Sequence, residues 1–201
     1  MINDTRFNIC LPFTLIEEAP DPTNWTDPKN FSNDPRDPGG ATYMGITQNA
    51  YDIWRKGQNL PIQNVQKITQ DEGETIYYSG YWLPHCPQLL PGLDLCFFDS
   101  SVNQGPTQAT RILQVAVRVV SDGEWGPITD AAVKAVKNAV VTIEAFTERR
   151  EEVYRETSGF GNFGTDWERR AQEVGAAAVR SSVIQRYALS MYAKYKLTAP
   201  Q

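Results

Sequence analysis

Two neighbouring glutamates stand where a carboxylic acid can act as a proton donor. Glu17 and Glu18 close an apolar stretch at the amino-terminal end of the chain, directly before a proline-rich segment. At the carboxyl end of a helix the macrodipole disfavours an anion, and a second acid or partial burial adds to this effect. These influences favour the protonated form that general-acid catalysis needs. The alternative is a pair of exposed surface glutamates.

A second candidate lies in the following loop, which carries Asp37 and Thr42 around two glycines. A tight glycine turn allows both side chains to reach the same side of the backbone. A carboxylate and a hydroxyl placed together can hold and polarise a water molecule. The alternative is a structural turn in which Asp37 accepts hydrogen bonds from backbone amides.

Other chemistries find little support among the reactive side chains. The three cysteines, Cys10, Cys86 and Cys96, are scattered without a C-x-x-C pair, which favours reduced core thiols. His85 is the only histidine, so we expect no metal site, and a nucleophile pair would have to join His85 to Cys10 or Cys96. No phosphate loop, dinucleotide fingerprint or G-x-S-x-G is present. We therefore expect no cofactor.

The amino-acid composition limits the classes of partner that we expect for the protein. The 201 residues are 41% hydrophobic and 21% charged, with a net charge of −5, which is typical of an acidic globular protein and argues against nucleic-acid partners. Apolar runs fall far short of the roughly 20 residues that a membrane span needs. The amino-terminal end has no readable secretory signal.

The pattern of apolar residues predicts a mainly α fold. Residues 1–18 suit a first helix whose start or straightness is limited by Pro12, and residues 19–42 suit a long ordered loop with at most a short hairpin. Further helices are expected over residues 47–56, 70–82, 93–103 and from 106 to 117. A single run capped by Thr129 is expected through Ile143, and a last helix is expected from about Asp166. Asp99 in an apolar helix needs a partner if buried, either Arg111 or a backbone amide.

Residues 37–47, DPGGATYMGIT, preceded by FSNDP at 31–35, resemble the signature of glycoside hydrolase family 108, phage-type N-acetylmuramidases. Later segments resemble the carboxyl-terminal region that accompanies this family and is often labelled peptidoglycan-binding. They are YW at 81–82, GLD at 92–94, FDSSVNQG at 98–105, LQ at 113–114, DG at 122–123, GPIT at 126–129, FG at 163–164, Trp167 and Arg170. The resemblance spans about residues 7–172.

This resemblance implies a single lysozyme-like helical domain over residues 1–201. Residues 1–85 form its catalytic part with the 19–47 loop, and residues 86–201 form the helical carboxyl-terminal part. A glutamate at the end of the first helix is implied as the general acid. Counting from the preceding helix gives Glu18, with Glu17 left open, and requires an insertion of about ten residues from Ala19 to about Lys29. Asp37 and Thr42 match the Asp and Thr that phage lysozymes place opposite this glutamate.

The implied substrate is the glycan strand of peptidoglycan, cut at the β-1,4 bond between N-acetylmuramic acid and N-acetylglucosamine. Sugar-binding candidates are Trp25, Tyr43, Tyr81, Trp82, Asn103 and Gln104, with core packing or helix capping as the alternative for each. A lytic transglycosylase and a non-catalytic wall-binding protein are the alternative functions. We expect a monomeric endolysin of phage or prophage origin. It would stay in the host cytoplasm until release and act on the wall from the periplasm, although a secreted effector would share the chemistry.

Overall fold

The computed structural model describes residues 2–33 and 40–195. Within these ranges the protein has eight α-helices and one small three-stranded sheet, so the predicted mainly α, lysozyme-like class is confirmed. The chain divides into two compact units, residues 1–84 and residues 85–201. Among the described helices, none is both long enough and apolar enough to cross a membrane.

The first unit opens with helix α1, Thr5–Glu18, as predicted. Asp4 caps its amino-terminal end by accepting a hydrogen bond from the Phe7 amide at 3.0 Å. Pro12 lies inside the helix without ending it. The chain becomes extended at Ala19, whose N–H donates to the Leu15 carbonyl. Because the helix stops there, Glu18 stands at its carboxyl end beside the following loop.

That loop, residues 19–30, is held by short-range polar contacts. Asp21 and Asn24 each accept hydrogen bonds from the amide and hydroxyl of the threonine two residues later. The buried Asn30 side chain accepts from the Asp21 amide at 2.9 Å and donates to the Asp21 and Asn24 carbonyls. The loop ends in a 3₁₀ turn, Pro28–Asn30. The predicted long ordered loop is therefore confirmed over residues 19–30, whereas residues 34–39 of the predicted range lie outside the described residues.

A small antiparallel sheet follows in the order β1 (Phe31–Ser32), β2 (Thr42–Tyr43) and β3 (Ile46–Thr47). Tyr43 pairs with Phe31 on one side and with Ile46 on the other. Met44 and Gly45 join β2 to β3 with φ angles of 51° and 74°. Two positive φ angles in a two-residue loop match the right-handed twist of the flanking strands, as in a type I′ turn.

Two helices complete the first unit. Helix α2, Gln48–Gly57, begins at the cap Thr47, whose hydroxyl accepts from the Ala50 amide, as the sequence predicted. Helix α3, Gln70–Tyr77, has a capping box formed by Thr69 and Glu72. The predicted helix over 70–82 is α-helical only to Tyr77, because residues Tyr78–Trp82 form a π-helical turn.

The second unit contains helices α4 (Leu93–Gln104), α5 (Pro106–Ala116), α6 (Pro127–Lys134), α7 (Ala139–Arg155) and α8 (Phe160–Tyr195). The α4 and α5 predictions are confirmed, with Gly105 at a φ of 86° between them. Cys10, Cys86 and Cys96 are buried, as expected for core thiols.

Three expectations for the second unit were wrong. The run from Thr129 to Ile143 is two helices, because α6 ends at Lys134 and Asn138 caps α7 by accepting from the Val140 amide. Thr129 lies inside α6, not at its cap. The last helix begins six residues before Asp166, at Phe160.

The partner of Asp99 also differs from the expected Arg111. Asp99 is fully buried and pairs with Arg150 at 2.7 Å and with Arg170 at 2.8 Å. Arg111 instead donates to the Ser121 carbonyl. Burial alone would raise the pKa of Asp99, but the charges of both arginines hold it below its usual range.

Candidate functional site

Glu18 is half-buried at the end of α1 and lies against the Met44–Gly45 turn. A methyl group built on Gly45 would stand 2.9 Å from both the Cβ and the Oε2 atoms of Glu18. Only a residue without a side chain lets the turn approach the carboxylate this closely. The fold thus brings the candidate acid and the β2–β3 hairpin together. Glu17, its neighbour, is also half-buried.

Two tyrosines accompany this contact. The buried Tyr77 hydroxyl donates a hydrogen bond to the Met44 carbonyl at 2.7 Å, and the Tyr77 and Tyr81 ring centres lie 6.1 Å apart. Burial raises the pKa of Tyr81, and the negative charge of Glu18 raises it further. The Tyr81 phenol is therefore a neutral hydroxyl near the carboxylate. The sequence reasoning gave Tyr77 and Gly45 no role, although a two-residue turn between strand positions was a readable signal.

Thr42 lies half-buried on β2, where it pairs with Thr47 on β3. Its hydroxyl donates to the Gly40 carbonyl at 3.4 Å. Thr42 is therefore carried by the same hairpin whose turn contacts Glu18. Asp37, the other predicted partner of the acid, lies outside the described residues.

The four aromatic candidates differ in exposure. Tyr81 is half-buried, whereas Trp82 has no exposed surface and donates from Nε1 to Asp4 at 2.9 Å. Tyr43 is 4% exposed, and its hydroxyl donates to the Trp25 and Asp27 carbonyls. Trp25 is 8% exposed. Tyr81 is thus the most open of the four, and its pKa is raised in part by the charge of Glu18.

Trp25 nevertheless lines a groove of about 450 Å³ between α1, the 19–30 loop and α3. Its ring fills the space that a side chain on Gly73 would occupy. The groove residues from α1 and α3 are Asn8, Leu11, Pro12, Leu15, Ile16, Gln70 and Glu74, and those from the loop are Pro22, Thr23 and Trp25. The loop expected as an insertion therefore supplies one wall of this groove.

Asn103 and Gln104 belong to the second unit, at the end of α4. Asn103 accepts a hydrogen bond from the Tyr154 hydroxyl at 2.6 Å, and Gln104 accepts from Ser100 and from Arg150. Both residues line a cleft of about 350 Å³ whose other lining residues are Gln108, Val153, Tyr154, Thr157 and Trp167. Their side-chain oxygens are thus already engaged by neighbouring helices.

No group of three or more His, Cys, Asp or Glu side chains in the described ranges is arranged to hold a metal ion. The only histidine, His85, stacks on Trp125 with ring centres 4.1 Å apart, and its Nδ1 is buried without a hydrogen-bond partner. Burial lowers the pKa of His85. These features fit a packed, neutral imidazole.

Comparison with known proteins finds similarity to the model of a glycoside hydrolase family and to a solved structure. Residues 29–105 match the family model described as Glycosyl hydrolase 108. The match starts eleven residues after Glu18, so it includes the hairpin but not α1. The structure of SagA from Brucella abortus is 29% identical to the chain, with a TM-score of 0.72, and the alignment covers 88% of this chain and 95% of that one. No curated protein matches the sequence.

Proposed function

We propose that the protein is a peptidoglycan hydrolase, an N-acetylmuramidase that cleaves the β-1,4 bond between N-acetylmuramic acid and N-acetylglucosamine. One observation carries the proposal. A half-buried glutamate at the end of α1 faces a hairpin that lies within the segment matching the glycosyl hydrolase family. A carboxyl group that is partly shielded from water has the chemistry that glycosidic bond cleavage requires.

In the proposed mechanism, protonated Glu18 donates its proton to the glycosidic oxygen as the bond to the anomeric carbon breaks. Positive charge then develops on the sugar ring in an oxocarbenium-like state. Asp37 and Thr42 stabilise this charge or orient a water molecule, whose hydroxide adds to the anomeric carbon while its proton passes to a carboxylate. General-acid assistance of this kind contributes about 10²–10⁴-fold to the rate.

The remaining candidates serve to bind the glycan strand. The charge of Glu18 acts on Tyr81, and the neutral Tyr81 hydroxyl suits a hydrogen bond to a sugar next to the cleaved bond. We assign Trp25 to the groove beside α1 and assign Asn103 and Gln104 to acetamido contacts in the second unit. Tyr43 and Trp82, being buried, act by supporting these surfaces. We further propose that a monomer acts at the cell wall as a phage or prophage lysin that is released from the host cytoplasm.

Product analysis tests this function. Purified protein is incubated with peptidoglycan sacculi, and the released fragments are identified by mass spectrometry. Reducing N-acetylmuramic acid ends support the muramidase. Anhydro-sugar ends would instead identify a lytic transglycosylase, and retention on sacculi with no released fragments would identify a non-catalytic wall-binding protein. Either of these results contradicts the proposal.

A further inference from the structure

We propose that Gly45 is a positioning residue that sets the placement of the Glu18 carboxylate through direct contact of the hairpin turn with the acid. This inference rests on the proposed function, because it concerns how the candidate acid is held. It assigns a role to a residue that itself contributes no functional group. The argument comes from the space around Gly45 and from the contacts that hold its turn.

The space around Gly45 is filled on the side where a side chain would project. A methyl group there would stand 2.9 Å from the Glu18 Cβ and Oε2 atoms and 2.8 Å from the Tyr77 hydroxyl. Contacts this short require something to move. The Tyr77 hydroxyl is held by its hydrogen bond to the Met44 carbonyl, and the other two close atoms, Cβ and Oε2, both belong to Glu18. An added methyl group therefore displaces the Glu18 side chain.

The Met44–Gly45 turn is held in place by hydrogen bonds to the Met44 backbone. Tyr77 is 1% exposed, and its hydroxyl donates to the Met44 carbonyl at 2.7 Å, one residue before Gly45. Met44 has no exposed surface, and its amide donates to the Asn30 carbonyl at 3.1 Å. Because both the amide and the carbonyl of Met44 are hydrogen-bonded, the position of the turn is fixed. The turn therefore restricts the space that the Glu18 side chain can occupy.

The consequence for catalysis is geometric. A general acid must reach the glycosidic oxygen within hydrogen-bond distance, and a displacement of about 1 Å can cost about 10²-fold in rate. Displacement of the acid lowers the rate of the chemical step while the surfaces that bind the glycan stay unchanged. Such a change appears in kcat and leaves KM almost unaffected.

Gly45→Ala tests the inference, and Gly123→Ala is its matched control. Gly123 also has a positive φ, 82°, and a methyl group there would stand 2.9 Å from Arg111 and Thr107 instead of Glu18. Both variants therefore place an alanine at a positive φ, with closest contacts of 2.8 Å at Gly45 and 2.9 Å at Gly123. Tyr77→Phe is the second test, because it removes the hydrogen bond to Met44 and keeps the ring. Thermal unfolding establishes that each variant is folded.

We expect Gly45→Ala to lower kcat for reducing-end release by about 10²-fold with KM within about twofold of the parent. The alkaline limb of its pH profile should shift, because the surroundings of the acid change. Gly123→Ala should keep the parent kcat and pH profile, and Tyr77→Phe should lower kcat in the same direction as Gly45→Ala. A folded Gly45→Ala with the kcat and pH profile of Gly123→Ala would overturn the inference, as would an unchanged kcat in Tyr77→Phe. If the parent releases no reducing N-acetylmuramic acid ends, the proposed function fails, whereas an active parent with an equally active Glu18→Gln refutes Glu18 as the acid and the inference with it.

Discussion

Arg170 and Asp99 form a two-point ion pair in the interior of the second unit. Arg170 donates from Nη2 to Oδ1 at 2.8 Å and from Nε to Oδ2 at 3.1 Å, and Arg150 approaches the same carboxylate at 2.7 Å. The three side chains come from α4, α7 and α8. One buried acid therefore joins three helices and balances part of the charge of two buried arginines.

Asp99→Asn should lower the free energy of unfolding by about 3–5 kcal/mol, because it leaves two buried guanidinium groups without a counter-charge. Denaturant unfolding measures this loss. Asp130→Asn is the control, since its exposed pair with Lys134 is expected to contribute less than about 1 kcal/mol. Equal losses in the two variants would show that the buried pair is not a stability determinant.

The ion pairs of Asp99 also predict that the protein loses stability at low pH. The pKa of Asp99 is lower in the folded protein than in the unfolded chain, so its stabilisation is complete above the unfolded value of about 3.9. It is lost as the pH falls from there through the folded pKa. We expect the free energy of unfolding of the parent to fall more steeply below about pH 4 than that of Asp99→Asn. Parallel curves would contradict this expectation.

His85 should titrate below its usual pKa of about 6.5, because burial against Trp125 disfavours the charged ring. As the only histidine, it gives an unambiguous imidazole signal in a proton NMR titration. Trp125→Ala should move the pKa back towards 6.5 by exposing the ring, and Tyr187→Ala on the exposed surface of α8 should not. A parent pKa at or above 6.5 would show that the stacked arrangement is not maintained in solution.

Gly73→Ala should destabilise the first unit by about 1–3 kcal/mol, because the added methyl group would overlap the Trp25 ring. Trp25 is itself buried, with 8% of its surface exposed. Gly80→Ala is the matched control, since no described atom lies within 4 Å of its added methyl group. Thermal unfolding of both variants is the measurement, and an unchanged midpoint in Gly73→Ala would contradict the packing of Trp25.

The sequence predicted helix boundaries well where a capping residue or a glycine lies at the boundary itself. Thr47 at the start of α2 and Gly105 at the end of α4 are such residues, and both act as expected. The break between α6 and α7 was missed, because apolar residues keep a helical period from Ala132 to Ile143 while the backbone leaves the helix after Lys134 and starts a new one at Ala139. Periodicity does not record such an interruption.

Contacts between residues far apart in the chain could not be predicted from the sequence, for a different reason. Arg150 and Arg170 are 51 and 71 residues from Asp99, and only the packing of α7 and α8 on α4 brings them to it. Likewise, the sequence placed Glu18 at the end of a helix, but the contact with Gly45 depends on how the hairpin packs. The fold class followed from local patterns, whereas the geometry of the site followed from tertiary contacts.

The central claim is that Glu18 is the acid of a peptidoglycan hydrolase, and its most direct test compares Glu18→Gln with Glu17→Gln. Glutamine keeps the size of the side chain but cannot donate an acidic proton, and Glu17 is an equally half-buried neighbour on the same helix end. The measurement is the rate of reducing-end release from purified sacculi. We expect Glu18→Gln to lose at least about 10²-fold and Glu17→Gln to stay close to the parent. Full activity in Glu18→Gln, with loss in Glu17→Gln or in neither variant, would contradict the claim.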